Sequence, residues 1–252
     1  MNVFFSTSKF SLSDTIKVAL MKNDGKKLTH VAIIMDGNRR WARKRNLADG
    51  EGHKEGAKNL EKIVYAAKEH GIKSLTVYAL STENLKKRAQ RELSGIFKLL
   101  KVAFSQKFSD MAKQGVRVNM FGNLKELPQA IQHIAKKLKE TYIENESIKL
   151  NVALNYGGHD EIVHVLQDLV KEGIKLDEIN EKIIEKHLYL KSSQPPQLVI
   201  RTGGNCRLSN FLLWQTAYSE LYFTETLWPD FDEAKLAEAI KWYEDQERKF
   251  GK

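Results

Sequence analysis

The stretch His30-Val31-Ala32-Ile33-Ile34-Met35-Asp36-Gly37-Asn38-Arg39-Arg40-Trp41 decides how the rest of the chain is read. Val31 to Met35 is an unbroken apolar run, the pattern of a buried strand. Asp36-Gly37-Asn38 interrupts it with a turn signal. Arg39, Arg40 and Trp41 then open a helical pattern. A carboxylate, a pliant Gly-Asn pair and two guanidinium groups therefore stand where a strand ends and a helix begins. Open α/β sheets bind ligands at that rim, and helix-start N–H groups with arginines suit a phosphate. An aspartate among them makes sense when a divalent metal accompanies the phosphate. The competing reading is a plain strand–turn–helix with surface arginines.

Outward from this stretch, strands and helices alternate. Asn38 to Arg45 reads as a short basic helix and Asn46 to Gly52 as a polar loop. Ala57, Leu60, Val64 and Ala67 recur at helical steps until Gly71 stops them. Ile72 to Leu80 reads as a strand, followed by Ser81-Thr82-Glu83-Asn84 and a cationic, mobile segment, Leu85 to Arg91. Glu92 to Lys113 reads as one helix. Its face of Leu93, Ile96, Phe97, Leu100, Ala103, Phe104, Phe108 and Met111, widened by Leu99 and Val102, exceeds what a surface helix needs. It is either a deeply packed core helix or one wall of a hydrophobic tunnel. Strands follow at Val116–Phe121, Ile148–Leu154, Leu198–Ile200 and Leu221–Phe223. Helices are expected around Leu127–Tyr142, Ile162–Leu169, Asp177–Leu188, Phe211–Ala217 and Leu236–Tyr243. The alternation argues for an α/β fold with a mostly parallel central sheet flanked by helices.

The 252 residues show no linker or composition break after residue 30, so one domain over 30–252 is expected, preceded by a weakly ordered N-terminal arm, 1–29. The net charge of +9 admits nucleic acid, anionic membrane or phosphorylated substrates as partners. No nucleic-acid recognition motif accompanies it. A single cysteine, Cys206, excludes an internal disulfide framework and suits a reducing cytoplasm. No apolar run approaches the ~20 residues of a membrane span. GxxxxGK[ST], HExxH, GxSxG and DDxxD are all missing.

Four strand ends carry polar groups: Asp36 to Arg40, Ser81 to Asn84, Asn155-Tyr156-Gly157-Gly158, and Arg201-Thr202-Gly203-Gly204. In a parallel sheet they would converge on one mouth. Arg201, Arg207 and Ser209 form a second anion cluster, in which forked guanidinium groups and a hydroxyl suit phosphate oxygens. Glu220 is either a satisfied structural acid or a metal ligand with Asp36. His53 is either a phosphate contact or a surface histidine near a helix start.

The segments MDGN-x-RW, GHxxG, STEN, NYGG, IRTGG, RLSNFLLWQ, AYSELYF and WPDF, in this order from Met35 to Phe231, resemble the cis-prenyltransferases (Z-type isoprenyl transferases), most nearly their bacterial undecaprenyl diphosphate branch. The resemblance covers roughly His30 to Gly251. It implies six strands, a homodimer, and Mg²⁺-dependent condensation of isopentenyl diphosphate onto an allylic primer such as farnesyl diphosphate. It implies a long cis-polyprenyl diphosphate product, undecaprenyl diphosphate above all, released near membrane by an otherwise cytoplasmic protein. Matched by position, Asp36 is the catalytic acid beside magnesium, with Glu220 as a second magnesium ligand. Gly37, Asn38, Arg39 and Arg40 form the phosphate turn. Trp41, His53, Ser81, Thr82, Glu83, Leu85 and Lys87 fall at substrate positions, and Asn84 at that of a proton acceptor. Arg201, Arg207, Leu208 and Ser209 match the isopentenyl diphosphate site. Departures from the family pattern include Arg39 for a glycine, Asp49 for an arginine, Leu85 for a tryptophan, Lys87 for an arginine, Asn205-Cys206 for Glu-His, and Lys249-Phe250-Gly251 for Arg-x-Gly. A non-catalytic subunit of the same fold is the alternative reading.

Overall fold

The computed structural model describes residues 27–246 apart from 88, 107, 192 and 193, and only the backbone of 91, 103–106, 108 and 109. Six strands form one sheet: β1 His30–Ile34, β2 Ser74–Ser81, β3 Val116–Phe121, β4 Ile148–Tyr156, β5 Leu198–Arg201 and β6 Glu220–Phe223. The order is β3-β4-β2-β1-β5-β6, and all five pairings are parallel. The sheet is thus wholly rather than mostly parallel, which follows from helical crossovers between strands. The helices are α1 Asn38–Lys44, α2 Asp49–Glu69, α3 Thr82–Lys87, α4 Gln90–Gln106, α5 Phe108–Lys113, α6 Gln129–Glu140, α7 Gly158–Lys171, α8 Glu181–His187 and α9 Glu233–Glu244. No helix among the described residues is long and apolar enough to cross a membrane.

Alternation along the strands divides the core. Val31, Ile33, Leu75, Val77, Val118, Leu150, Val152, Leu198 and Ile200 meet α2, α4, α5, α6 and α9 on one face. Ala32, Ile34, Phe121, Ala153 and Val199 meet Tyr156, Phe211 and Leu212 on the other. Val165, Leu169 and Leu188 form a smaller cluster between α7 and α8.

Several elements depart from the sequence reading, each for a local reason. The expected loop 46–52 is already helical from Asp49, with Asp49 and Glu51 acidic in its first turn, where the helix dipole favours them. The buried face of α2 is Gly52, Gly56, Asn59, Ile63, Val64 and Ala67, while Ala57 is exposed. Asn59 earns its place by donating to the carbonyls of Trp228 and Phe231, both at 2.8 Å; hydropathy periodicity scores neither glycine nor asparagine as core. The cationic stretch after β2 is helical through Lys87, while position 88 lies outside the described residues. The expected helix Asp177–Leu188 is a 3-10 turn at Leu176–Glu178 and then α8, separated by Asn180, whose side chain caps Ile183 N–H. Phe211 to Ala217 forms turns rather than a helix, and Leu212 adopts a left-handed φ of 47°. Of the long apolar face at 92–113, Leu93 and Met111 are buried, but Ile96, Phe97, Leu99 and Leu100 are only half-buried. At the end of the expected arm, 1–29, Leu28 is buried in the core, and Thr29 N–H donates to Gln197 Oε1 at 2.7 Å. The rest of the arm, 1–26, lies outside the described residues.

Candidate active site

The carboxyl end of β1 delivers Asp36 into a fixed frame. Its N–H donates to the Ile34 carbonyl and to Thr202 Oγ1, each at 3.0 Å. Its carbonyl accepts from Thr202 Oγ1 at 2.7 Å and from Trp228 N–H at 3.0 Å. Gly37 follows with φ +112°, and a Cβ there would meet the Leu227 side chain at 2.9 Å. Only glycine takes that backbone turn without strain. α1 then starts at Asn38 and brings Arg40 round by one helical turn.

The Asp36 carboxylate is held on both oxygens. Arg40 Nη2 donates to Oδ1 at 3.0 Å. Arg201 Nη2 and Asn205 Nδ2 donate to Oδ2 at 3.0 and 2.9 Å. Partial burial pushes this carboxyl's pKa upward, but the bonds from Asn205, Arg201 and Arg40 outweigh it and hold the group below its ordinary value. Arg40 Nη1 reaches the Gly203 carbonyl at 2.6 Å. Arg201 Nη1 donates to the Arg207 carbonyl and to Ser209 Oγ, the latter at 2.7 Å. One carboxylate thereby stitches the β1 turn to the β5 turn.

The other two strand ends join through Asn210. Its Nδ2 donates to Glu83 Oε1 at 2.8 Å, and its Oδ1 and backbone carbonyl accept from His159 and Gly158 N–H. Ser81 Oγ accepts from Asn84 N–H at 3.0 Å, capping α3 and setting Thr82, Glu83 and Asn84 at the rim. Ser209, Asn210 and Leu212 all have φ between 47° and 67°. Such strain gathers where surrounding structure over-determines the backbone, often at ligand sites. All four strand ends expected to converge do so. Sequence reading named Thr202 and Asn205 without these partners and missed Asn210, because each acts on a residue distant in the chain.

Arg39 is exposed and lies 4.0 Å from Glu92, as does His53 Nε2. Trp41 Nε1 donates to Asp230 at 2.7 Å, and Arg45 stacks over its ring. Asp49 is neutralised by Arg43 through two bonds at 2.9 and 2.8 Å, so its acid does not face the phosphate turn unpaired. Leu85 packs against the main core and Leu208 against the second. Lys87 is exposed at the end of α3. Arg207 is exposed beside Arg201, with its Nη1 on Asn205 Oδ1 at 3.3 Å.

Glu220 lies apart from Asp36 along the sheet. It opens β6 level with Leu198, whereas Arg201 is level with Phe223. Three residues of strand, roughly 10 Å, separate the two levels, so within one chain Glu220 stands at the opposite rim from Asp36. Among the described residues no three His, Cys, Asp or Glu side chains gather as a metal cage. Magnesium does not require one, since it is held by one or two carboxylates with substrate phosphates and waters. Asp36 fits that mode. One buried atom without a hydrogen-bond partner, Arg201 Nε, lies in this same cluster; Asn38 Oδ1 lacks one too, but it faces Gly56 and Trp228. Such orphans are rare in folded proteins, and the one on Arg201, whose other nitrogens hold Asp36 and Ser209, suits a polar ligand at this cluster.

A parallel sheet with arginines, turn amides and one carboxylate at its carboxyl rim defines an α/β protein of the diphosphate-binding kind. The chain belongs to the cis-prenyltransferase family: the family model described as putative undecaprenyl diphosphate synthase matches residues 34–251. It is 47% identical over 222 residues to an isoprenyl transferase of Fusobacterium nucleatum, covering 88% of this chain and 95% of that one. It is 44% identical over 229 residues to a geranylgeranyl-diphosphate-specific tritrans,polycis-undecaprenyl-diphosphate synthase of Pyrococcus furiosus, covering 88% and 86%. Among solved structures it resembles lavandulyl diphosphate synthase from Lavandula x intermedia in complex with dimethylallyl diphosphate (TM-score 0.83, 34% identity, 90% and 99% coverage). It also resembles a probable undecaprenyl diphosphate synthase from Campylobacter jejuni (TM-score 0.73, 32% identity, 90% and 100% coverage).

Proposed function

We propose that this chain is a chain-elongating enzyme that condenses isopentenyl diphosphate onto farnesyl diphosphate, with magnesium, to give undecaprenyl diphosphate. The observation that carries the reading is the Asp36 carboxylate bound at once by Arg40 and Arg201, one from each anion cluster. Two anions must lie side by side for the new bond to form, and this pairing sets their pockets next to each other. The β1 turn, with Gly37, Asn38, Arg39 and Arg40, takes the primer diphosphate. Arg201, Arg207 and Ser209 take the isopentenyl diphosphate. As the allylic C1–O bond breaks, the arginines stabilise the leaving diphosphate. The isopentenyl double bond attacks C1, and a proton leaves its C2 for a diphosphate oxygen. Asn84, whose neutral amide is a poor base, positions the substrate for that transfer. Magnesium held by Asp36 would neutralise charge on the departing diphosphate.

The half-buried face of α4, with Phe97 and Leu100 against the core, supports a tunnel wall for the growing chain. Each CH₂ that it shields from water gains ~0.8 kcal/mol. On α7, Ile162, Val163, Leu166 and Val170 leave an apolar stripe 38–81% exposed. A stripe of that kind asks for a partner, and a second copy of the chain, forming a homodimer, is the occupant we favour. The basic surface suits peripheral contact with the inner face of the membrane during product release.

The test is incubation of the protein with farnesyl diphosphate, labelled isopentenyl diphosphate and Mg²⁺, with mass analysis of the product. The expected product is an eleven-unit prenyl diphosphate, counted from undecaprenyl. A ladder primed only by geranylgeranyl diphosphate would replace the primer assignment, and no elongation at any metal level would leave the non-catalytic reading.

A further inference from the structure

The amino ends of the strands, away from the catalytic rim, border a cavity of about 500 Å³, within the usual size of a small-molecule site. Its floor is the second face of the sheet. One register row across β1, β2, β4 and β3 is His30, Ser74, Lys149 and Arg117; the next is Ala32, Thr76, Asn151 and Asn119. β1, β2 and β4 are inner strands, and inner strands of a parallel sheet are normally apolar on both faces. Of their six positions in these rows only Ala32 is apolar, and the edge strand β3 adds Arg117 and Asn119. The third row, Ile34, Tyr78, Ala153 and Phe121, returns to apolar character and is the row that Phe211 and Leu212 cover.

The polar floor is organised. The Gln194 carbonyl lies 2.5 Å from His30 Nδ1, so Nδ1 carries the proton and Nε2 accepts from Thr76 Oγ1 at 2.7 Å. Asn151 Nδ2 donates to Ser74 Oγ at 3.0 Å and to Thr76 Oγ1 at 3.3 Å. Asn119 Nδ2 donates to Asn151 Oδ1 at 3.3 Å. Among the described residues, the Ser74 O–H and the Asn119 amide oxygen meet no hydrogen-bond partner, and both residues line the cavity. Around this floor stand Lys73, Arg117, Lys139, Lys149 and Lys191, against one lining carboxylate, Glu146. Glu146 pairs with Arg117 and with Lys149. Among the described residues no ion pair to a carboxylate joins Lys73, Lys139 or Lys191.

We propose that this cavity binds a small polar polyphosphate of nucleotide size, at a site separate from the diphosphates of the catalytic rim. The excess of cations in a concave site focuses a positive field on an anion. The polar floor would lose its solvation without compensation beneath a hydrocarbon, so an isoprenoid chain is excluded. Its donors and acceptors suit a sugar or base attached to the phosphates.

ATP is the probe, titrated calorimetrically into the full-length protein. The wild type should bind it saturably. The triple variant Lys73→Gln/Lys149→Gln/Lys191→Gln should bind at least about tenfold more weakly, through loss of charge-assisted hydrogen bonds. Asn119→Leu, which alters the floor without altering charge, should also weaken binding severalfold. Melting temperatures within about 2 °C of wild type would show that the variants fold. Unchanged affinity in the triple variant would place ATP elsewhere and overturn the proposal. So would a response to the lysines with none to Asn119→Leu, or no saturable binding to the wild type at millimolar ATP.

Discussion

Asn205 is the residue whose chemistry could not have been replaced by its neighbours. An amide donates and accepts at once: here it donates to Asp36 and accepts from Arg207. The glutamate usual in the family pattern would be an acceptor only, and would face Asp36 with like charge. Asn205→Leu should therefore raise KM for isopentenyl diphosphate and lower kcat/KM by about ten- to a hundredfold, the scale of hydrogen bonds to charged groups. Equal steady-state constants for the two proteins would refute this. Gly37→Ala places a methyl against Leu227 in a left-handed turn, and should cost roughly 1–3 kcal/mol in urea unfolding. Asp36 has its folded pKa held below the unfolded value. Its stabilising contribution is complete above the unfolded value and fades as pH falls through the folded one. Asp36→Asn should flatten the acid limb of a stability–pH profile; an unchanged limb would count against the bonding described. Asp36 and Arg201 were legible from sequence because each stands where an apolar strand ends, and Arg40 because it follows in the turn-to-helix signal. Asn205 and Asn210 were not, because their partners lie at distances of 169 and 127 residues.

At the scale of elements, every strand and most helices were legible, since period and turn signals are local. The failures came where tertiary contacts outvote hydropathy. α2 turns Gly52, Gly56 and Asn59 inward because α1 and the Trp228 turn approach too closely for larger side chains. The segment 211–217 is apolar enough for a helix, yet left-handed residues at its start, Ser209, Asn210 and Leu212, break the helical course. β2 holds a further irregularity. Its register with β4 shifts between Tyr78 and Leu80, on either side of half-buried Ala79. Bulges of this sort re-aim side chains beside active sites. Ala79 packs at the edge of the core that includes Phe97 and Leu100. Ala79→Leu should then shorten the prenyl chain by one or more units, as an order-of-magnitude expectation from the added side-chain volume. An unchanged product ladder in chromatography of the dephosphorylated alcohols would sink the idea.

For the whole molecule, the apolar stripe on α7 makes assembly the property to measure. Leu166 is 54% exposed at its centre, and Leu166→Glu should shift sedimentation from dimer to monomer, since a charge buried in an interface without a partner is costly. A wild type that sediments as a monomer would refute the assignment. This level of organisation was the least legible in the sequence, where the stripe reads only as one more amphipathic helix. The sheet order has a separate consequence for how the protein comes to exist in a cell. β1 lies between β2 and β5, and Asp36 meets Arg201 across 165 residues of chain. At ribosomal rates of about 5–20 residues per second, roughly ten to thirty seconds pass between their syntheses. During that interval β1 can pair with β2 on one side while its other edge stays bare and adhesive. The nascent chain is then most exposed to mispairing, and to chaperones, just before its reaction centre closes.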